Sequence, residues 1–185
     1  LSKEKLLHSK LSIDVRTVDV LGCGSNGCAY LIKSGPHAGR VLKVTSDPHE
    51  VDFVTWAMRT SPMGVVKVHE IVRLGKWPAR SISGTAIVRD YLDPIVERLT
   101  KANKNKLDDA LNEVVGASYA ARRLGVASAM DDSISKLKKM SPELAAAVED
   151  LRERRLYIVD AHSSGIGALP KSKKALIYDI SIVRG

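Results

Sequence analysis

Three glycines constrain the fold of this chain more than any other feature. Gly22, Gly24 and Gly27 follow the spacing G-x-G-x-x-G, which several unrelated phosphate-binding folds use. A dinucleotide-binding fingerprint needs a helix after such glycines, and a Walker loop needs Lys-Ser or Lys-Thr directly after the last one. Here the glycines lead into the β-type run CAYLIK, and Gly27 is followed by Cys28 and Ala29. The pattern therefore predicts a β-hairpin with a glycine-rich tip.

The flanking sequence predicts more strands and one helix around this hairpin. Alternating apolar and polar residues predict a strand over 11–21, and β-type runs predict further strands over 28–33, 40–45, 65–74 and 85–92. Between the third and fourth strands, Asp47 and Pro48 suit the N-cap and first position of a helix that continues to about Arg59. The first half is therefore expected to be an antiparallel sheet with one helix.

From Pro94 onward the pattern becomes mostly helical. Helical periodicity covers residues 108–123, 128–139 and 142–154, and two short apolar β-type runs follow at 155–160 and 174–183. The fold class is therefore predicted as α+β, with an N-terminal part over residues 1–92 and a minimal, mostly helical C-terminal part over residues 93–185.

Composition limits the partners and the location of the protein. Apolar residues make up 44% and aromatic residues 4%, so the core is aliphatic and a base-stacking platform for nucleic acid is not expected. No apolar run reaches the roughly 18 residues that a membrane span needs, and the charged N-terminus does not look like a signal peptide. We expect a cytoplasmic protein without membrane or direct nucleic-acid binding. Its net charge of +8 favours acidic partners such as nucleotide phosphates.

The basic clusters and the two cysteines are expected to be ordinary features. Clusters at 101–106, 136–139, 152–155 and 171–174 are predicted to be solvated helix ends and turns. Cys23 and Cys28 form no disulfide framework and have no zinc-type spacing, so they are predicted to be free thiols in a reducing compartment.

A lysine on the strand after the hairpin completes a phosphate-binding pattern. Lys43 in V-L-K-V can reach nucleotide phosphates if a carboxylate on the next helix holds it. Glu50 is one candidate, although it could instead serve only as the capping-box partner of Asp47. Asp52 remains an alternative partner. This is the order of elements in protein kinases, where a glycine-rich loop precedes the lysine strand.

The second half carries the stronger resemblance. The run LYIVDAHSSGIGALPKSKKALIYDISIV resembles a protein-kinase catalytic loop followed by the metal-binding strand end. More narrowly, DAHSSGIG and DISIV resemble the early serine/threonine kinases of autographivirus-type short-tailed phages. Those kinases similarly lack a His before the catalytic Asp and have one two residues after it, as His162 follows Asp160. The resemblance extends from about Val20 to Val183.

This resemblance implies a two-lobed kinase-like fold that binds ATP and Mg²⁺, or Mn²⁺ in its place. It implies that Asp160 accepts the proton of the attacking hydroxyl, that Asp179 holds the metal, and that Lys43 holds the phosphates. The remaining implied nucleotide-binding residues are those of the hairpin, the lysine strand, the following helix and a strap over 89–92: Gly22, Cys23, Gly24, Ser25, Gly27, Val41, Glu50, Asp90 and Leu92.

The implied activity is transfer of the γ-phosphoryl group to serine or threonine hydroxyls of host proteins, including the transcription machinery. Ser25, Ser163 and Ser164 lie close enough in sequence to the implied site to be candidates for self-phosphorylation. Lys43 and Asp160 are both expected to line a cleft, so truncating either is expected to cost little stability.

Three features depart from the kinase pattern. Gly165 stands where the family has an Asn metal ligand, either as a lost ligand or because the loop needs a positive φ there. Asp179-Ile180-Ser181 replaces Asp-Phe-Gly, and the chain ends at Gly185 without an activation segment, so a minimal lobe or a shortened chain is expected. Two alternatives stay open: a pseudokinase that binds nucleotide or protein without turnover, and a small-molecule kinase of the aminoglycoside type.

Overall fold

The computed structural model describes residues 3–76, 83–94, 99–169, 172 and 174–185. The fold is α+β, and the chain forms two compact units. The first consists of Leu1–Arg59 and Lys67–Tyr91, and the second of Thr60–Val66 and Leu92–Gly185. The predicted basic turn at 171–174 lies partly outside the described residues. Within them, no helix has the length and apolar character needed to cross a membrane.

A five-stranded antiparallel sheet forms the frame of the first unit. Its strands are β1 (Val18–Cys23), β2 (Gly27–Ile32), β3 (Arg40–Thr45), β4 (Val68–Lys76) and β5 (Ser83–Asp90), in the order β1-β2-β3-β5-β4. The glycine-rich segment is the turn of the β1–β2 hairpin, as the sequence predicts. Because β3 is central, the residues that it carries have neighbouring strands on both sides.

The strand predicted over 11–21 is wrong for its first seven residues. A helix, α1 (Lys3–Leu11), ends there, and a 3₁₀ turn at Val15–Thr17 precedes β1. The alternation comes from a chain reversal, because Ser12 has a positive φ of 52° and its N–H bonds to the carbonyl of His8. Leu11 and Ile13 thereby both become buried against one face of the sheet.

The helix predicted after the third strand is confirmed, although α1 makes it the second helix of the first unit and the expectation of one helix there is wrong. It is α2 (Pro48–Thr60), and the carboxylate of Asp47 accepts the N–H of His49 at 2.8 Å, as an N-cap does. Phe53, Val54 and Ala57 lie buried on its inner face. This burial fixes the helix, and with it the position of Glu50 in its first turn.

Three helices form most of the second unit. They are α3 (Lys101–Leu124), α4 (Asp131–Met140) and α5 (Pro142–Glu153), which confirms the three predicted helices and extends the first one back to residue 101. Thr100 caps α3, Ser141 caps α5, and Gly125 ends α3 in the left-handed conformation. The basic cluster at 101–106 is therefore the exposed first turns of a helix.

Short strands complete the second unit. In one pair, β7 (Leu156–Ala161) runs antiparallel to β10 (Ile180–Arg184), and in a second sheet β8 (Ile166–Ala168) lies between β6 (Asp93–Pro94) and β9 (Ala175–Ile177). The buried hydroxyl of Ser118 on α3 accepts the N–H of Ile158 at 2.7 Å. That bond ties β7, which carries Asp160, to the longest helix.

Candidate functional site

The lysine of β3 forms an ion pair with the first turn of α2. The Nζ atom of Lys43 lies 3.0 Å from Oε1 of Glu50, and the two side chains are only 16% and 5% exposed. Lys43 faces Ala29 on β2 and Ile87 on β5 in the sheet register. Asp52 is exposed. The structure therefore pairs Lys43 with Glu50 and leaves Asp52 aside.

This burial argues against one expectation about Lys43. Breaking a buried ion pair by removing one partner costs about 3–5 kcal/mol. Truncating Lys43 would remove the ammonium group that lies 3.0 Å from the buried carboxylate of Glu50. In place of a small effect we therefore expect a large loss of stability for Lys43, which denaturation of the variant would measure.

The hairpin tip is a closed turn held against the end of β3. The N–H of Gly24 donates to the carbonyl of Gly27 at 2.8 Å, and the N–H of Ser46 donates to the carbonyl of Asn26 at 2.8 Å. A side chain at Gly27 would overlap the carbonyl oxygen of Val44, so only glycine fits there. Gly22 and Gly24 face open space. Their lack of side chains leaves room for a ligand beside the backbone.

The prediction of free thiols is wrong. Cys23 and Cys28 form a disulfide across the neck of the hairpin, with their Cα atoms 4.1 Å apart. They are direct partners in the β1–β2 register. The sequence analysis noted only that two cysteines make no disulfide framework and lack zinc-type spacing, but two cysteines on either side of a four-residue hairpin turn face each other. That symmetry was the signal available in the sequence.

A pocket of about 160 Å³ lies beside the tip of the glycine-rich hairpin. Its lining includes Cys28, Tyr30 and Val44. Cys28 is the register partner of Val44, whereas Ala29 is the partner of Lys43. Because neighbouring residues of a strand point to opposite faces, the side chains of Cys28, Tyr30 and Val44 lie on the face opposite to Lys43. The pocket is also lined by the tip residues 24–27 and by Thr45, so it borders the glycine-rich turn itself.

The predicted strap at 89–92 begins inside a strand. Asp90 ends β5, donates its N–H to the carbonyl of Lys67 at 3.0 Å, and has its Oδ1 2.6 Å from Nε2 of His69. Val41 is buried opposite Arg89. With the N–H of Asp90 already bonded, an adenine would have to take its backbone hydrogen-bond donor from Tyr91 or Leu92.

In the second unit the two predicted carboxylates, those of Asp160 and Asp179, lie at the same end of the β7–β10 strand pair. Asp160 is the register partner of Ser181, two residues after Asp179. The side chain of Asp160 is 59% exposed, and its Oδ1 lies 2.8 Å from Nε2 of His162. An exposed carboxylate next to an imidazole can accept a proton and be held in one orientation. Unlike Lys43, Asp160 can be truncated without leaving a buried charge.

Gly165 packs directly against Asp179. Its carbonyl accepts the N–H groups of Tyr178 and Asp179 at 2.9 and 3.3 Å, and a Cβ at this position would overlap the carbonyl oxygen of Asp179. Gly165 is not among the glycines with positive φ. The loop-geometry explanation is therefore wrong in its stated form, because close backbone approach is what requires glycine here.

The metal-binding potential of the described residues is limited. None of them form a group of three or more His, Cys, Asp or Glu side chains arranged to hold a metal ion. Magnesium is, however, commonly bound by one or two carboxylates together with substrate phosphates. Asp179 supplies one carboxylate, and its backbone N–H bonds to the carbonyl of Gly165 at 3.3 Å.

The structure thus brings the predicted residues together in two groups. One group lies in the first unit around the hairpin, β3 and α2, and the other lies in the second unit around Asp160, Gly165 and Asp179. Sequence reasoning missed the contacts of Tyr178, whose hydroxyl bonds to the carbonyl of Ser164. It also missed the bond between His69 and Asp90.

Comparison of the sequence with known proteins adds no family assignment. No protein-family model matches the chain, and no curated protein sequence matches it either.

Proposed function

We propose that this protein is an ATP-dependent kinase that transfers the γ-phosphoryl group to serine or threonine hydroxyls of proteins. The observation that carries the proposal is the buried ion pair between Lys43 and Glu50 at 3.0 Å, on the strand that follows a glycine-rich hairpin. A buried charge pair is expensive to maintain and is weak support for stability alone. A requirement to fix one ammonium group beside a phosphate site accounts for it.

The first unit supplies what phosphate binding requires. Glu50 holds Lys43 in one orientation, so the ammonium group can meet the α- and β-phosphates without reorganisation. Gly22 and Gly24 have open space where side chains would be, so no side chain there would keep phosphate oxygens from the backbone once the Gly24 N–H is turned toward them.

The second unit supplies the two carboxylates of the reaction. Asp160 would orient the acceptor hydroxyl and take its proton, with His162 holding the carboxylate in place. Asp179 would hold Mg²⁺, or Mn²⁺, through its carboxylate. The bound metal would neutralise charge on the transferring phosphate. Catalysis by these residues would rest mainly on positioning and charge stabilisation.

The finer identity is also part of the proposal. The two compact units would be the lobes of a kinase-like fold, and the motifs around Asp160 and Asp179 support a place among early phage serine/threonine kinases. Substrates would then be proteins of the bacterial host, including the transcription machinery, and the protein would act in the host cytoplasm. Ser25 and Ser164, both exposed, are candidates for self-phosphorylation, together with Ser163.

One observation favours a second candidate, a pseudokinase that binds nucleotide without turnover. Gly165 supplies no ligand for a second metal, and its contact with Asp179 prevents any side chain from being placed there without displacing the Asp179 backbone. A single metal bound by Asp179 would then serve binding more readily than catalysis.

A labelling experiment distinguishes these functions. The protein is incubated with γ-labelled ATP, Mg²⁺ or Mn²⁺, and a bacterial lysate. Labelled protein bands support the proposal, a labelled small metabolite indicates a small-molecule kinase, and nucleotide binding without any label indicates a pseudokinase. Asp160→Ala is expected to lower labelling by about 100-fold or more.

The matched control is Asp109→Ala, which removes an exposed carboxylate from α3 in the same unit. It should label as the unmodified protein does. Asp160 gives a cleaner test than Lys43, because its exposed side chain can be removed without leaving a buried charge. Undiminished labelling by Asp160→Ala would contradict its role as the proton acceptor.

A further inference from the structure

The disulfide lies at the base of the glycine-rich turn, whose backbone N–H groups would have to turn toward nucleotide phosphates in the proposed function. Cys23 and Cys28 close the neck of the turn formed by Gly24, Ser25, Asn26 and Gly27. We propose that this cysteine pair is a reversible redox modification site: the disulfide locks the hairpin closed, and reduction to two thiols allows the hairpin to bind nucleotide phosphates. The nucleotide part of this inference rests on the proposed function.

The strand register places the two cysteines within bonding distance of each other. They are direct partners in the β1–β2 ladder, and their Cα atoms lie 4.1 Å apart, near the roughly 4.5 Å of a non-hydrogen-bonded antiparallel pair. The bond therefore fits an ordinary strand pair, so it can form and break within the folded protein. When it is broken, only hydrogen bonds keep the neck closed.

The pair is also accessible to thiol reagents. Cys23 and the tip residues Gly24, Ser25 and Asn26 are exposed, and Cys28 is half-buried. Reactive cysteines are those that exchange partners can reach, whereas structural cysteines are buried and inert. Among the strands that the structure describes, β1 is moreover the edge of the sheet, with a neighbouring strand on one side only.

The hydrogen bonds of the tip explain why the disulfide would oppose phosphate binding. The N–H of Gly24 is donated inward to the carbonyl of Gly27. The carbonyl of Asn26 accepts the N–H of Ser46 at 2.8 Å and its hydroxyl at 3.1 Å. With the neck cross-linked, Cys23 and Cys28 stay paired next to Gly24 and Gly27, which would keep the Gly24 N–H turned toward Gly27 and away from a ligand. Reduction removes the cross-link and leaves only these hydrogen bonds to break.

The chemistry needs only a low-molecular-weight disulfide and its thiol, such as oxidised and reduced glutathione. One cysteine thiolate attacks the small disulfide, which forms a mixed disulfide and releases one small thiol. The second cysteine thiolate then attacks the protein sulfur of that mixed disulfide, which forms the Cys23–Cys28 bond and releases the second small thiol. The two cysteines are oxidised by two electrons, the small disulfide is reduced to two thiols, and the protons of the cysteines end on those thiols.

The first arm of the test measures nucleotide affinity in both redox states. The protein is prepared with oxidised glutathione or with dithiothreitol, and binding of a fluorescent ATP analogue is titrated in each case. Because Cys23 and Cys28 are the 2 cysteines of the chain, thiol alkylation and mass spectrometry report the state of this pair directly. The reduced form should bind at least about 5-fold more tightly, the lower range of typical coupling between sites.

The second arm measures the hairpin itself by amide hydrogen exchange. The amides of Gly24 and Ser46 should exchange more slowly in the disulfide form than in the dithiol form, because the cross-link keeps their hydrogen bonds closed. The double variant Cys23→Ser with Cys28→Ser should show no difference between the two buffers in either arm. A redox response that persists in this variant would overturn the inference, since no cysteine remains.

The two arms separate failure of the inference from failure of the proposed function. If neither form binds nucleotide, the proposed function falls, and the exchange of Gly24 and Ser46 still decides whether the pair locks the hairpin. If nucleotide binds equally to both forms, or if the amides exchange equally, the redox control is overturned while the kinase proposal stands.

Discussion

The two units hold their candidate charged residues in opposite ways. In the first unit Lys43 and Glu50 form a buried pair, whereas in the second unit Asp160 and His162 form a pair whose side chains are both mostly exposed. A buried ion pair is part of the fold, since neither partner can be removed alone without a large cost. An exposed pair contributes little to stability. A mutation of Lys43 is therefore expected to change the stability of the fold as well as any activity, whereas a mutation of Asp160 is expected to change activity with little effect on stability.

The two units differ in the burial of their charged pairs, but each contains a glycine that lies in close contact with a neighbouring backbone segment. Gly27 in the first unit and Gly165 in the second each lie against a carbonyl oxygen of a neighbouring segment, that of Val44 and that of Asp179. In both cases a Cβ would overlap the oxygen. Close approach of backbone to backbone is thus common to both candidate sites, while charge burial belongs only to the first.

The largest expected effect tests the contrast in charge burial directly. Lys43→Ala should lower the free energy of unfolding by about 3–5 kcal/mol, because the carboxylate of Glu50 stays buried after its ion pair with Lys43 is lost. Asp160→Ala should change it by no more than about 0.5 kcal/mol. Urea denaturation measures both.

A double variant, Lys43→Met with Glu50→Leu, should recover most of the stability lost in Lys43→Ala, since neither charge is then buried. Equal stability of Lys43→Ala and the unmodified protein would remove the contrast between the two pairs.

A second prediction concerns Gly165 and its contact with Asp179. Gly165→Ala should lower the free energy of unfolding by about 1–3 kcal/mol, because the new methyl group overlaps the Asp179 carbonyl. Gly116→Ala is the control, since Gly116 lies within α3 with open space around it and should gain about 0.5–1 kcal/mol.

Gly165→Asn should, for the same reason, displace the Asp179 backbone and not supply a metal ligand. Its metal titration should therefore show no increase in apparent affinity. A tighter metal requirement in this variant would instead support the lost-ligand explanation.

A third prediction tests how the exposed pair of the second unit is supported. Ser118→Ala should lower the free energy of unfolding by about 1–3 kcal/mol, because the N–H of Ile158 loses its buried acceptor. Ser135→Ala, at an exposed position of α4, should be nearly neutral. If the two variants were equally stable, β7 would owe its position to packing and to its pairing with β10 and not to the Ser118 bond.

The smallest expected effect concerns an exposed pair in the first unit. The side-chain hydrogen bond from Arg16, followed by the bond from the Arg16 N–H, lowers the pKa of Asp14 to about 2. Because the folded pKa is lowered, this contribution to stability is present above the ordinary carboxyl pKa and is lost as the pH falls through about 2.

Arg16→Gln should raise the pKa of Asp14 toward its ordinary value while the backbone bond keeps part of the shift. The acid loss of this contribution then moves to higher pH. Carboxyl chemical shifts followed by NMR would measure the change, and an unaltered pKa in the variant would show that the Arg16 side chain does not cause it.

Much of the fold could be predicted from local patterns. β3 over 40–45 and α2 from Pro48 were predicted because a strand with β-branched residues is followed by a clear helix start at Asp47 and Pro48. The strand over 11–21 failed because a positive φ at Ser12 reverses the chain without disturbing the alternation. A period of two in the sequence cannot distinguish a strand from such a reversal.

The residues of the candidate site could also be predicted only in part. Lys43 was predicted from its place after the hairpin, but Glu50 and Asp52 could not be separated, because both lie early in the same helix. Only the orientation of α2 on the sheet, fixed by burial of Phe53 and its neighbours, turns Glu50 toward Lys43. The disulfide depended on the hairpin register, which the turn length sets.

The sequence by itself determined most of the strands and helices, with α1 as the clearest exception, the glycine hairpin, and the residue types on which the proposed phosphate and metal chemistry depends. These follow from interactions between near neighbours along the chain, such as capping, periodicity and turn preference. The tertiary structure alone decided that Lys43 and Glu50 are buried together and that Gly165 must be glycine because of Asp179. Burial and close approach depend on segments distant in sequence, so no local pattern encodes them.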